Sequence, residues 1–121
     1  MRSAFLGFLF AAALSVPALA QEGKQDFTLV NKTGYELNAV YVSPNKADDW
    51  GDDIMGQDTL GDGKAVDIVF DRGAKTCKWD LMVEYSDDDS SAVWSNIDLC
   101  TVNKITIRYN RKTDKTTASY E

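Results

Sequence analysis

In the run KWDLMVEY, Lys78 to Tyr85, the residues Trp79, Leu81, Val83 and Tyr85 alternate with Lys78, Asp80, Met82 and Glu84. Side chains change face at every residue of a strand, so such a run buries one apolar face only as β-structure. KITIRY, Lys104 to Tyr109, repeats the pattern, with Ile105, Ile107 and Tyr109 opposite Lys104, Thr106 and Arg108. AVDIVF sets Val66, Ile68 and Phe70 on one side. DFTLV (Asp26–Val30) and YELNAVYVS (Tyr35–Ser43) flank a turn at Asn31-Lys32-Thr33-Gly34. In the second of these, Tyr35, Leu37, Ala39, Tyr41 and Ser43 share a face. AVWSNIDL keeps no single phase, and TTASYE follows the polar turn NRKTDK as a closing edge strand. About seven short strands with regular turn signals predict an all-β fold, a small antiparallel sandwich or barrel.

The two cysteines, Cys77 and Cys100, stand just before one of these strands and just after the next. A redox pair is usually close in sequence, and a zinc site needs more ligands than two cysteines in a chain without histidine. We read them as one disulfide, closing the open end of a hairpin. A two-residue turn at Asp88-Asp89 would set them directly opposite each other, while a four- or five-residue loop would slip the register.

The first twenty residues read as a cleaved signal peptide. Arg2 gives a positive start, Ala4 to Val16 an apolar run, and Ala18-Leu19-Ala20 a small-x-small cleavage site. The apolar run is too short to span roughly 30 Å of hydrocarbon. The expected mature chain, residues 21–121, is one small domain in the periplasm or outside the cell. Without Arg2 it carries 12 basic and 19 acidic residues, a net charge of −7. That balance argues against nucleic acid and anionic membrane, and for a cationic protein partner or a metal ion.

DDWGDDIMGQDTLGDG, residues 48–63, holds Asp48, Asp49, Asp52, Asp53, Asp58 and Asp62. Three readings stand side by side. Calcium takes six to eight oxygens, and Asp48, Asp49, Asp52 and Asp53, with Asp87, Asp88 and Asp89 folded nearby, supply the chemistry. The EF-hand spacing is absent. A docking face would use Trp50, Asp58 and Asp62, with Trp50 as anchor. A solvated connector would need only Trp50, Ile54, Met55 and Leu60 as apolar pegs, with Ser43 capping a short helical turn at Pro44. Residues 103–115, with Lys104, Arg108, Arg111, Lys112 and Lys115 against Asp114, carry the opposite charge. Asn31-Lys32-Thr33 matches a glycosylation acceptor as well as a hairpin turn.

Catalysis is not expected. Without histidine the usual Ser-His-Asp and Cys-His arrangements are excluded. There is no Gly-x-Ser-x-Gly elbow and no glycine-rich phosphate loop.

The elements Asn31-Lys32-Thr33-Gly34-Tyr35, Val42-Ser43-Pro44, Asp49 to Asp53, Cys77 to Leu81 and Asp98 to Cys100 occur in an order that resembles a family of small exported bacterial proteins. Members of that family often carry the label argininosuccinate lyase. Lyases of that superfamily are long helical bundles with a Gly-Ser-Ser-x-Met-Pro loop, and neither feature is present in this sequence. The resemblance therefore implies a small exported protein and supplies no activity, lyase chemistry included. The functional expectation is a non-catalytic exported binding module with an acidic face for a cationic partner. The alternatives are a calcium-stabilised domain and a small inhibitor of a basic cell-wall hydrolase.

Overall fold

The computed structural model describes residues 23–121, so the expected signal peptide, Met1 to Ala20, lies outside the described residues. Seven strands follow in order: β1 Phe27–Lys32, β2 Leu37–Pro44, β3 Ala65–Ile68, β4 Lys78–Tyr85, β5 Ser91–Asp98, β6 Lys104–Asn110 and β7 Lys115–Tyr120. They form two sheets, β3-β1-β6-β7 and β2-β4-β5. The arrangement is a sandwich and not a closed barrel. Among the described residues all strand pairings are antiparallel but one: β1 runs parallel to β6, with Leu29 beside Ile105 and Asn31 beside Ile107. A parallel neighbour far along the chain leaves no turn signal in the sequence, which is why alternation alone suggested a wholly antiparallel sheet.

The alternation seen in the sequence is what closes the core. Leu29, Ile105 and Ile107 from one sheet meet Val40, Leu81 and Val83 from the other, all at most 1% exposed. Two bulges reset the phase. Between Leu37 and Ala39 the register of β2 against β4 shifts, leaving Asn38 unmatched. Leu37 and Val40 therefore both point into the core, and the single face expected for Tyr35–Ser43 is not formed. A second shift lies between Trp79 and Leu81, opposite Ser95 and Asn96. Asn96 takes positive φ there, and its N–H donates to Asp80 Oδ1 at 2.8 Å. This extra residue is the physical reason why AVWSNIDL keeps no single phase.

The predicted disulfide joins Cys77 to Cys100, with Cα atoms 5.2 Å apart. The hairpin above it does not turn on Asp88-Asp89. Glu84 pairs with Ser91, and the Tyr85 N–H donates to Ser90 O at 2.8 Å. The loop is thus the four residues 86–89, the slipped-register alternative. Aromatic packing marks both ends of the sandwich. Trp79 contacts Phe70 at a centroid distance of 4.8 Å, and Phe70 contacts Phe27 at 6.3 Å. Tyr35, Tyr85 and Tyr109 gather at the opposite end.

Candidate functional site

The acidic connector, residues 45–64, runs along the free edge of β2 and supplies the hydrogen bonds that the edge lacks. Leu37 exchanges both backbone bonds with Leu60 at 2.9 Å. The Val40 carbonyl accepts the Ile54 N–H at 2.8 Å, and the Val40 N–H donates to Asp53 Oδ1 at 2.9 Å. Asp53 also accepts the Met55 N–H at 2.9 Å, so its carboxylate stands in for a strand residue. Asp62 Oδ1 accepts the Gly34 N–H at 2.8 Å. Asp48, Asp49, Asp52 and Asp58 are exposed, and among the described residues their carboxylates make no hydrogen bond. Asp53 completes the edge, Asp62 ties down the turn between β1 and β2, and four aspartates face water. Ser43 caps no helix; it lies in β2, and its hydroxyl donates to Asp49 O at 3.0 Å.

Asn31 holds the two ends of this region together. It is fully buried, and its amide donates to Tyr35 O at 2.8 Å and Leu60 O at 2.9 Å. Its side-chain oxygen accepts the N–H of Thr33 at 3.0 Å and the Thr33 hydroxyl at 2.7 Å. An amide nitrogen with both hydrogens committed inside the fold has no room for a sugar, so the glycosylation reading of Asn31-Lys32-Thr33 falls.

The seven residues chosen for calcium are not assembled. The groups of three or more candidate ligands found within 4.8 Å of one another, among the described residues, reduce to Cys77, Asp98 and Cys100. Two of those are the disulfide. Trp50 is half-buried and stands outside the core cluster. Among the described residues no ion pair joins residues 103–115 to the connector; Lys78 and Asp98 approach at 3.9 Å at the disulfide end.

A site not foreseen lies at the tyrosine end. Tyr35, Tyr85, Tyr109, Asp87, Asp88, Ser90 and Asp114 line a cavity of about 160 Å³. Ring centroids are 6.1 Å apart for Tyr35–Tyr85, 5.5 Å for Tyr35–Tyr109 and 6.1 Å for Tyr85–Tyr109, with interplanar angles of 87°, 82° and 68°. The rings form three nearly perpendicular walls. The rim comes from two hairpin loops of the same build, one from each sheet. In residues 86–89 the Asp89 N–H returns to Tyr85 O at 3.0 Å, and in residues 111–114 the Asp114 N–H returns to Asn110 O at 2.8 Å. Both closing aspartates take positive φ, which Asp tolerates better than most residues.

Hydrogen bonds fix the walls. The Tyr85 hydroxyl bonds Thr116 Oγ1 at 2.6 Å, and the Tyr109 hydroxyl donates to Asp114 Oδ1. That bond to a carboxylate, with burial, pushes the Tyr109 phenol up to about 12. Burial raises the Tyr85 phenol above its usual value, and the Thr116 and Thr33 hydroxyls pull it back. Asp88 Oδ1 accepts the Ser90 hydroxyl at 2.6 Å and the Ser90 N–H at 3.0 Å, which holds its carboxyl below the usual range. Arg111 stands 5.8 Å from the Tyr35 ring centroid without lining the cavity, so this ring already attracts one cation.

No family model matches the chain, and no curated protein matches it. An NMR structure of a protein from Eubacterium rectale is similar in fold. It covers 83% of this chain and 88% of its own, at 15% identity and a TM-score of 0.58. At that identity the likeness speaks to the fold alone.

Of the pocket residues, Asp87 and Asp88 were singled out by their charge, for a metal. Tyr35, Tyr85, Tyr109 and Asp114 were not singled out for any site. A signal did exist: Tyr85 and Tyr109 end the two cleanest core-facing rows, where an aliphatic residue would do for packing alone. A tyrosine there places an apolar body inside and a polar tip at the wet end.

Proposed function

We propose that this protein is an exported, non-catalytic binding module whose acidic surface docks a cationic protein partner. One observation carries the reading: the tyrosine pocket is rimmed by Asp87, Asp88 and Asp114 and, among the described residues, is lined by no basic one. Aromatic faces and carboxylates favour the same ligand sign, because the ring quadrupole and the formal charges both attract cations. The four water-facing aspartates of the connector add long-range attraction that speeds encounter more than it tightens the complex.

The test is capture of basic and acidic peptides by residues 21–121 over a series of salt concentrations. Docking led by charge gives binding of the basic peptide that weakens steeply between low and 1 M salt. Equal capture of both peptides, or binding indifferent to salt, would contradict the reading.

A further inference from the structure

We propose that the Tyr35–Tyr85–Tyr109 pocket is a receptor for the side chain of a lysine on the partner, in preference to arginine. This rests on the binding-module reading above and names the group that the module recognises.

Size comes first. At about 160 Å³ the cavity is far below the roughly 300–1,000 Å³ of a drug-sized site. It suits one slender side chain. The three centroids form a triangle with sides of 5.5, 6.1 and 6.1 Å. A point about 4 Å above that triangle lies within about 6 Å of all three centroids, so a cation there is attracted by each ring that turns its face to it. A lysine reaching in from the partner leads with its ammonium, which lodges between the rings and the rim carboxylates, while its apolar stem trails along the ring edges toward the partner.

The donor count decides between cations. An ammonium is a compact charge with three donors, and the rim offers three carboxylates. A guanidinium is a planar fork that gains most from two oxygens of one carboxylate. On two of the three rim groups that geometry is compromised. Asp88 Oδ1 already holds the Ser90 hydroxyl and N–H, and Asp114 Oδ1 already holds the Tyr109 hydroxyl. Each leaves one unencumbered oxygen, which satisfies a point charge better than a fork. All three rim aspartates are exposed, so the pocket is open to a protruding side chain.

The experiment titrates residues 21–121 with capped lysine, capped norleucine and capped arginine, following tyrosine ring signals by NMR. Norleucine keeps an apolar stem and removes the charge. The expected result is saturable shifts at Tyr35, Tyr85 and Tyr109 with lysine, at least tenfold weaker binding of norleucine and at least threefold weaker binding of arginine. The double variant D87N/D88N weakens lysine binding about tenfold while its melting temperature stays within a few degrees. Arginine binding as well as lysine, norleucine binding as well as lysine, or shifts confined to the connector would each overturn the proposal. A lysine-rich peptide that docks in a salt-sensitive way without moving the tyrosine signals overturns the pocket and leaves the module reading standing. Binding of no basic peptide at any salt concentration overturns both.

Discussion

The Asp53 carboxylate accepts the backbone N–H of Val40 at 2.9 Å, thirteen residues back along the chain. A side chain here completes the edge of a sheet. Without it the N–H of Val40, itself a fully buried core residue, would lose its partner, and so would the Met55 N–H. Asp53→Ala should cost about 2 kcal/mol in denaturant unfolding. Asp53→Asn keeps a carbonyl acceptor and should cost less than half of that. Asp48→Asn, Asp52→Asn and Asp58→Asn should each stay within about 0.5 kcal/mol of the parent. Equal effects at all four positions would remove the distinction drawn between building and water-facing aspartates.

Asn31 makes more hydrogen bonds. Its replacement by alanine strands the buried Thr33 N–H and takes one of two hydrogen bonds from the Leu60 carbonyl, which keeps the Leu37 N–H, and from the Tyr35 carbonyl, which keeps the Thr33 hydroxyl. The expected loss is about 2 kcal/mol, since a stranded buried group costs roughly 1–3 kcal/mol. Asn31→Asp should fare no better, because it keeps the acceptor and loses both donations. Chemical denaturation of the three proteins reads this directly.

The disulfide ties residues 23 apart in sequence. In the chain-entropy description its removal by Cys77→Ala/Cys100→Ala should lower stability by about 3 kcal/mol. The fold should survive, because the hairpin beneath it is also held by the β4–β5 pairing and by the Leu99 N–H donating to Cys77 O at 2.9 Å. A lower denaturation midpoint with an unchanged far-ultraviolet spectrum is the expected result.

The Tyr109 phenol, at about 12 against a usual 10.0, binds its proton more tightly in the folded chain than in the unfolded one. Its contribution to stability is therefore whole below about pH 10 and is lost as the pH rises through about 12. The cause is first the hydrogen bond to Asp114, then burial, with the charges of Asp114, Tyr35 and Tyr85 adding to it. In Asp114→Asn the last tyrosine to ionise should titrate lower in an absorbance titration. An unchanged titration would mean that Asp114 does not hold the hydroxyl in solution.

How much of this was readable beforehand follows from the range of each interaction. Alternation in KWDLMVEY and KITIRY is a local property, and it gave the strands, their buried faces and the all-β class. The cysteine pairing was readable because the two residues bracket one hairpin. The parallel β1–β6 pairing was not, because no local residue pattern marks a partner more than seventy positions away. The phase of β2 failed at a single residue, Asn38, whose bulge carries no glycine or proline to announce it. For the aspartates, composition showed charge but not division of labour. Asp53 and Asp62 differ from Asp48, Asp49, Asp52 and Asp58 only in which backbone N–H lies beside them. The tyrosine pocket draws on Tyr35, Tyr85 and Tyr109, which come together only once the two sheets have stacked.

The central claim, that the tyrosine pocket reads a partner's lysine, is tested most directly by a double-mutant cycle. Affinity is measured for a peptide with one lysine and for its norleucine counterpart, each against the parent protein and D87N/D88N. The account predicts that removing the rim charges and removing the lysine charge are strongly non-additive. The coupling should be at least tenfold, about 1.4 kcal/mol. Effects that add within about 0.5 kcal/mol, or no binding of the lysine peptide to the parent protein, would contradict it.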